Sequence, residues 1–186
     1  HAPGNLNVDI LPAGPEHLRA GYVEWPSGIK MSLSGFRLAL ERATPVQTGG
    51  DLLLDIAPLS VIVLLKMVAY QEQPTDRLRD LEDIAYLLDE YLSSDDERRF
   101  SEEVLDAEIA YEHTSAFELG RDLGSMINSD ERDALHGFLS LTEDETHPLG
   151  TQARMSSSAP IGWRNKPEEL LARIHALRLG LSRTSR

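Results

Sequence analysis

Three charged side chains in this sequence sit where charge is uncommon: Asp9, Lys66 and Asp80. Asp9 falls in Asn7–Leu11 (NVDIL), an alternating run that predicts a short strand with Val8 and Ile10 on one side. A carboxylate fixed on a sheet is well placed to hold a metal or act as a base. The plainer reading is a strand-end carboxylate in solvent. Lys66 is the only charge between Ser60 and Tyr70, a stretch that is apolar on every helical side and therefore reads as buried. A lysine there must reach water, meet an acid or lose its proton. The next helix offers acids. Asp80 lies on a row with Ile84, Leu87 and Tyr91, at the margin of the apolar stripe Leu78, Leu81, Ala85, Leu88 and Leu92. Asp83 follows one turn later. Carboxylates of this kind suit magnesium, and an ammonium can neutralise phosphate oxygens as charge develops. The plainer alternative is that Lys66 pairs with Asp80 and only joins two helices.

Other chemistries are excluded by what is missing. The sequence has no Gly-x-Gly-x-x-Gly, Walker lysine, His-Glu-x-x-His or Gly-x-Ser-x-Gly. Its six histidines are scattered, with no pair at helical spacing. The absence of cysteine removes disulfide, zinc-thiolate and cysteine-nucleophile readings, and is compatible with a reducing cytoplasm. No apolar run reaches the roughly 18–20 residues of a membrane helix, and no signal peptide is visible.

The elements that must position these residues follow from periodicity and punctuation. Tyr22–Trp25 predicts a short strand, and Ser34–Ala43 a helix capped by Ser34. Pro45–Gln47 and Leu52–Ile56 predict strands around a Gly49-Gly50 turn. A helix from about Pro58 and a second to Leu92 are separated at Pro74. An acidic, solvated helix is expected over 95–112, with Phe100, Val104, Ala107 and Tyr111 as its apolar row. Further helices are expected over Ser115–Ile127, from a Ser129-Asp130 cap to Leu139, and over Glu168–Leu181 after Pro167. Gly120 and Gly124 would let another backbone approach the first of these. Leu141–Ser158 reads as irregular, with Ser156–Ser158 in a mobile loop. The fold class is α+β weighted to helix, divided into an α/β part over 1–57 and a helical bundle over 58–186.

Charge is uneven in this chain of 186 residues and net charge −13. Residues 76–112 carry 14 acids and 4 bases, a net of −10, whereas 151–186 carry 7 bases and 2 acids, a net of +5. The acidic body argues against broad phosphate-backbone binding. The basic tail could contact nucleic acid or dock on the acidic body, and docking is favoured, since opposite charges in one chain meet at high effective concentration.

The order of features resembles a known family. The Val-Asp-Ile-Leu-Pro strand, the hairpin, the Lys66-Met-x-Ala helix and Arg79-Asp80-x-x-Asp83 are similar to the rear part of nucleotidyltransferase-fold proteins, nearest to the AbiEii type of toxin–antitoxin and abortive-infection systems. The likeness runs from about Asn7 to Leu92, and Leu119–Asp122 is similar to a later helix of related proteins. It implies a mixed sheet followed by a helical bundle, in the cytoplasm. It implies transfer of a nucleotide from a nucleoside triphosphate to RNA or protein, with magnesium, and with an RNA acceptor or an antitoxin protein as partner. Asp9 would be the third metal carboxylate, Lys66 would face the triphosphate, and Asp80 would belong to the C-terminal acidic motif. Arg77 or Arg79 would replace the arginine that the family often carries where this chain has Glu72-Gln73. The family's Gly-Ser and Asp-x-Asp elements are expected N-terminal to residue 1 and so are absent here, and the first residue is not Met. One carboxylate cannot hold two metals, so the chain by itself is expected to be inactive. The alternative is a catalytically inactive helical interaction module.

Overall fold

The computed structural model describes residues 10–47 and 52–183. In chain order the elements are α1 (Pro15–Ala20), β1 (Tyr22–Glu24), β2 (Lys30–Ser32), α2 (Phe36–Arg42), β3 (Thr44–Gln47), β4 (Leu53–Ile56), α3 (Leu59–Glu72), α4 (Leu78–Glu90), α5 (Glu102–Asp106), α6 (Thr114–Met126), α7 (Ser129–Glu143), α8 (Thr151–Ser158) and α9 (Pro167–Ser182). The protein is a helix-dominated α+β structure. Its strands form two separate antiparallel pairs, β1–β2 and β3–β4. The mixed sheet implied by the resemblance is not found among the described residues. The Gly49-Gly50 turn and most of the Asn7–Leu11 strand lie outside them, and Ile10 and Leu11 belong to no strand.

α3 is the centre. Val61, Val63, Leu64, Met67 and Tyr70 are fully buried, as an all-round apolar helix demands. It packs against α2, α4, α6 and α7. α4 is amphipathic and buries Leu81, Ile84, Ala85 and Leu88, but Leu78, assigned to its apolar stripe, is exposed. Leu38 of α2 joins the same core as the later helices, so the expected division at 57/58 is crossed by packing.

Gly120 on α6 and Gly180 on α9 hold two backbones together. A Cβ at Gly120 would lie 2.1 Å from the Leu177 carbonyl oxygen, and one at Gly180 2.0 Å from that of Phe117. Residues 117 and 120 therefore face 180 and 177, so the helices run antiparallel. The basic tail docks as expected. Arg173 reaches Asp89 Oδ1 at 2.8 Å, and Arg178 reaches Glu143 Oε1 at 2.6 Å.

Four expectations are corrected. The helix expected over 95–112 is broken into a 3₁₀ turn (Glu97–Phe100), α5 and a second 3₁₀ turn (Tyr111–His113). Asp96 and Ser101 capture the backbone N–H groups of Arg98 and Val104, competing with a continuous helix. Phe100 and Tyr111 are consequently exposed, with rings 6.0 Å apart. Residues 151–158 are a helix rather than a mobile loop, because Met155 is buried and the Thr151 hydroxyl meets Tyr70 Oη at 3.0 Å. α2 is preceded by Gly35 at φ 81°, not capped by Ser34. α7 is capped by Asn128, whose Oδ1 accepts from Asp130 and Glu131 while Glu131 Oε2 accepts from the Asn128 N–H at 3.0 Å.

Candidate functional site

Lys66 meets its acids. Its ammonium donates to Asp80 Oδ1 at 2.9 Å and to Asp83 Oδ2 at 2.6 Å. The Pro74 break folds α4 back so that its first two turns lie against the middle of α3. Asp80 sits in the first turn of α4, where the N-terminal dipole favours a carboxylate. Burial pulls the Lys66 ammonium down, but the hydrogen bonds to Asp83 and Asp80 and their charges outweigh it, and its pKa lies above the ordinary lysine value. Asp80 is buried, and its second oxygen, Oδ2, has no hydrogen-bond partner among the described residues. Asp83 is half exposed, with 54% of its side chain accessible.

Lys66 and Asp80 both line a cleft of about 610 Å³ between the β1–β2 hairpin and the α3–α4 corner. Trp25, Ile29, Met31 and Phe36 form one wall, and Ile62 and Leu65 of α3 the other. The hairpin is tied to the end of α3 by the Ser32 N–H, which donates to Glu72 Oε2 at 3.3 Å. Arg77 also lines the cleft, from an exposed position, and forms no ion pair among the described residues. Arg79 is exposed and does not line it. Asp9 lies outside the described residues, while the adjoining Ile10 and Leu11 line the cleft.

Of the residues singled out from sequence, the structure therefore brings together Lys66, Asp80 and Arg77. It adds Asp83 as a direct partner of Lys66 and Trp25 as an aromatic wall. Trp25 carried no signal in its spacing, because it reaches the site only through the turn between β1 and β2, where its N–H donates to the Ile29 carbonyl. Asp83 was readable as the i+3 neighbour of Asp80.

The described residues do not fit a two-magnesium centre. They contain no group of three His, Asp or Glu side chains able to hold a metal ion. Of the carboxylates that line the cleft, Asp80 is already paired with Lys66, which Asp83 also neutralises from outside it.

A second polar cluster joins the end of α4, the 3₁₀ turn Glu97–Phe100 and α6. The Tyr91 hydroxyl bonds Asp122, which also pairs with Arg98 at 3.1 Å. Burial and the Asp122 contact push the Tyr91 phenol far above its ordinary range. Asp122 and Arg98 are thus occupied by each other and by Tyr91, and no cleft opens on them among those described.

Among the described residues no helix is long and apolar enough to cross a membrane. No family model, curated protein or solved structure gives a significant match to this chain.

Proposed function

We propose that the chain is the C-terminal portion of a nucleotidyltransferase-like protein of the AbiEii type. In its complete form it moves a nucleotide from a nucleoside triphosphate to RNA or protein, acts in the cytoplasm, and has an antitoxin as its protein partner. The observation that carries this reading is convergence. Lys66 and Asp80, 14 residues apart, meet at 2.9 Å in the wall of one cleft that Arg77 also lines. The apolar wall suits a nucleobase, and Lys66 with Arg77 supplies the positive charge that phosphate oxygens require. Magnesium belongs to the proposal only together with Asp9 and upstream Gly-Ser and Asp-x-Asp elements.

The test is an assay of the complete gene product with radiolabelled nucleoside triphosphates and total RNA. Lys66→Ala is expected to abolish label transfer while the protein stays folded by circular dichroism. Normal transfer by that variant removes lysine from the mechanism. The isolated chain is expected to bind magnesium-nucleotide weakly or not at all, and micromolar binding by calorimetry contradicts this.

A second reading is a helical module without activity that binds a basic partner. It is favoured by the exposed Phe100, Leu105 and Tyr111 among the carboxylates of 95–112. The N-terminal sequence of the complete gene product separates the two, because only the first requires Gly-Ser and Asp-x-Asp upstream.

A further inference from the structure

We infer that Asp83 sets the anion affinity of the cleft, as the counter-charge that Lys66 exchanges when a phosphoryl group arrives. This rests on the reading of the cleft as a nucleotide site. An ammonium has three N–H donors, and two are committed, to Asp80 and Asp83. The two carboxylates are not equivalent. Asp80 has 12% of its side chain accessible and cannot leave Lys66 without stranding a buried charge. Asp83 has 54% accessible and can turn into water at little cost. The exchangeable partner is therefore Asp83, although its 2.6 Å contact is the shorter one.

Charge points the same way. Among the described residues the ionic groups at the cleft are Lys66, Arg77, Glu72 and Asp80, with Asp83 on Lys66 from outside. With Asp83 bound the set is net negative by one charge, and without it the set is neutral. A polyanion is repelled by the first arrangement and tolerated by the second. One unit charge about 6 Å away in water-like dielectric changes affinity about threefold per unit of ligand charge. For a multiply charged phosphate the combined effect is on the order of tenfold at low salt, fading as ionic strength rises. Asp83 acts through Lys66 and is a positioning residue.

The experiment measures binding of inorganic pyrophosphate to the purified protein by calorimetry at low ionic strength, without metal. Asp83→Asn is expected to bind about tenfold more tightly than the parent, and Lys66→Met added to it should erase the gain. Glu82→Gln removes the same charge from an exposed site on α4 that faces neither Lys66 nor the cleft, and should gain little. NMR titration of the Lys66 ammonium gives a readout that general destabilisation would not produce: its pKa should fall in Asp83→Asn. Equal affinity in parent and Asp83→Asn, equal gain in Glu82→Gln, or no pyrophosphate binding by any of these proteins overturns the inference. A pyrophosphate response without label transfer by the complete gene product instead sinks the transferase reading and leaves the anion gate standing.

Discussion

Replacing Lys66 with methionine strands Asp80, a buried carboxylate whose other oxygen already lacks a partner among the described residues. Removing one member of a fully buried pair costs about 3–5 kcal/mol. Here 26% of the Lys66 side chain is accessible, so a loss of about 1–2 kcal/mol is expected from urea denaturation. Adding Asp80→Leu should restore part of it, and a double-mutant cycle measures the coupling. The pH dependence has a definite sign. The Lys66 pKa is raised on folding, so its contribution is complete below the ordinary lysine value of 10.5 and is lost as pH climbs through the folded value. The urea midpoint of the parent should therefore fall at alkaline pH by more than that of Lys66→Met. This meeting of residues was legible from sequence, because an ammonium in a helix greasy on all sides has few ways to survive. The accessibility difference between Asp80 and Asp83 was not, since it depends on how far α4 rolls against α3.

At the scale of elements, the α6–α9 contact makes the sharpest demand. Gly120→Ala or Gly180→Ala places a methyl group about 2 Å from a backbone oxygen that cannot move aside. Each should cost about 3 kcal/mol or more, read as a lowered thermal midpoint. Gly162→Ala is the control, with nothing within 4 Å of its added Cβ, and should stay within about 0.5 kcal/mol. Asn128→Ala removes both acceptor contacts of the α7 cap and should cost about 1 kcal/mol. The close approach at Gly120 was readable as a glycine with no turn to make, but its partner Gly180 reads as an ordinary helix-end residue. α8 was hidden because its sequence is polar, and nothing local reveals that Thr151 and Ser156 are buried. The break at 95–112 was hidden for the opposite reason. Asp96 and Ser101 look like helix-surface residues until their side chains take backbone N–H groups.

For the molecule as a whole, stability should be graded. One core runs through α3, α4, α6, α7 and α9, whereas every residue of β3 and β4 is exposed. Hydrogen exchange should find the β3–β4 amides opening well before those of α3, and equal protection would contradict a single helical core. Opposite charge in the acidic middle and the basic tail of the sequence pointed to a tail that folds back. It could not foresee that Arg173 would be buried over the Trp163 ring, 4.6 Å from its centroid, while pairing with Asp89.

Arg99 reaches a different outcome from every ion pair in the molecule. All five of its N–H donors are met by neutral oxygens: the carbonyls of Leu92, Ser93 and Tyr111 and the hydroxyls of Thr114 and Ser115. None of these acceptors gains or loses a proton across the pH scale, and a guanidinium keeps its charge throughout. The Arg99 bonds where the end of α4 meets the start of α6 are therefore held without any carboxylate, unlike the neighbouring contact of Tyr91 and Arg98 with Asp122. In strong acid, when carboxylates have released their arginines and Lys66, this corner should be among the last parts of the fold to let go.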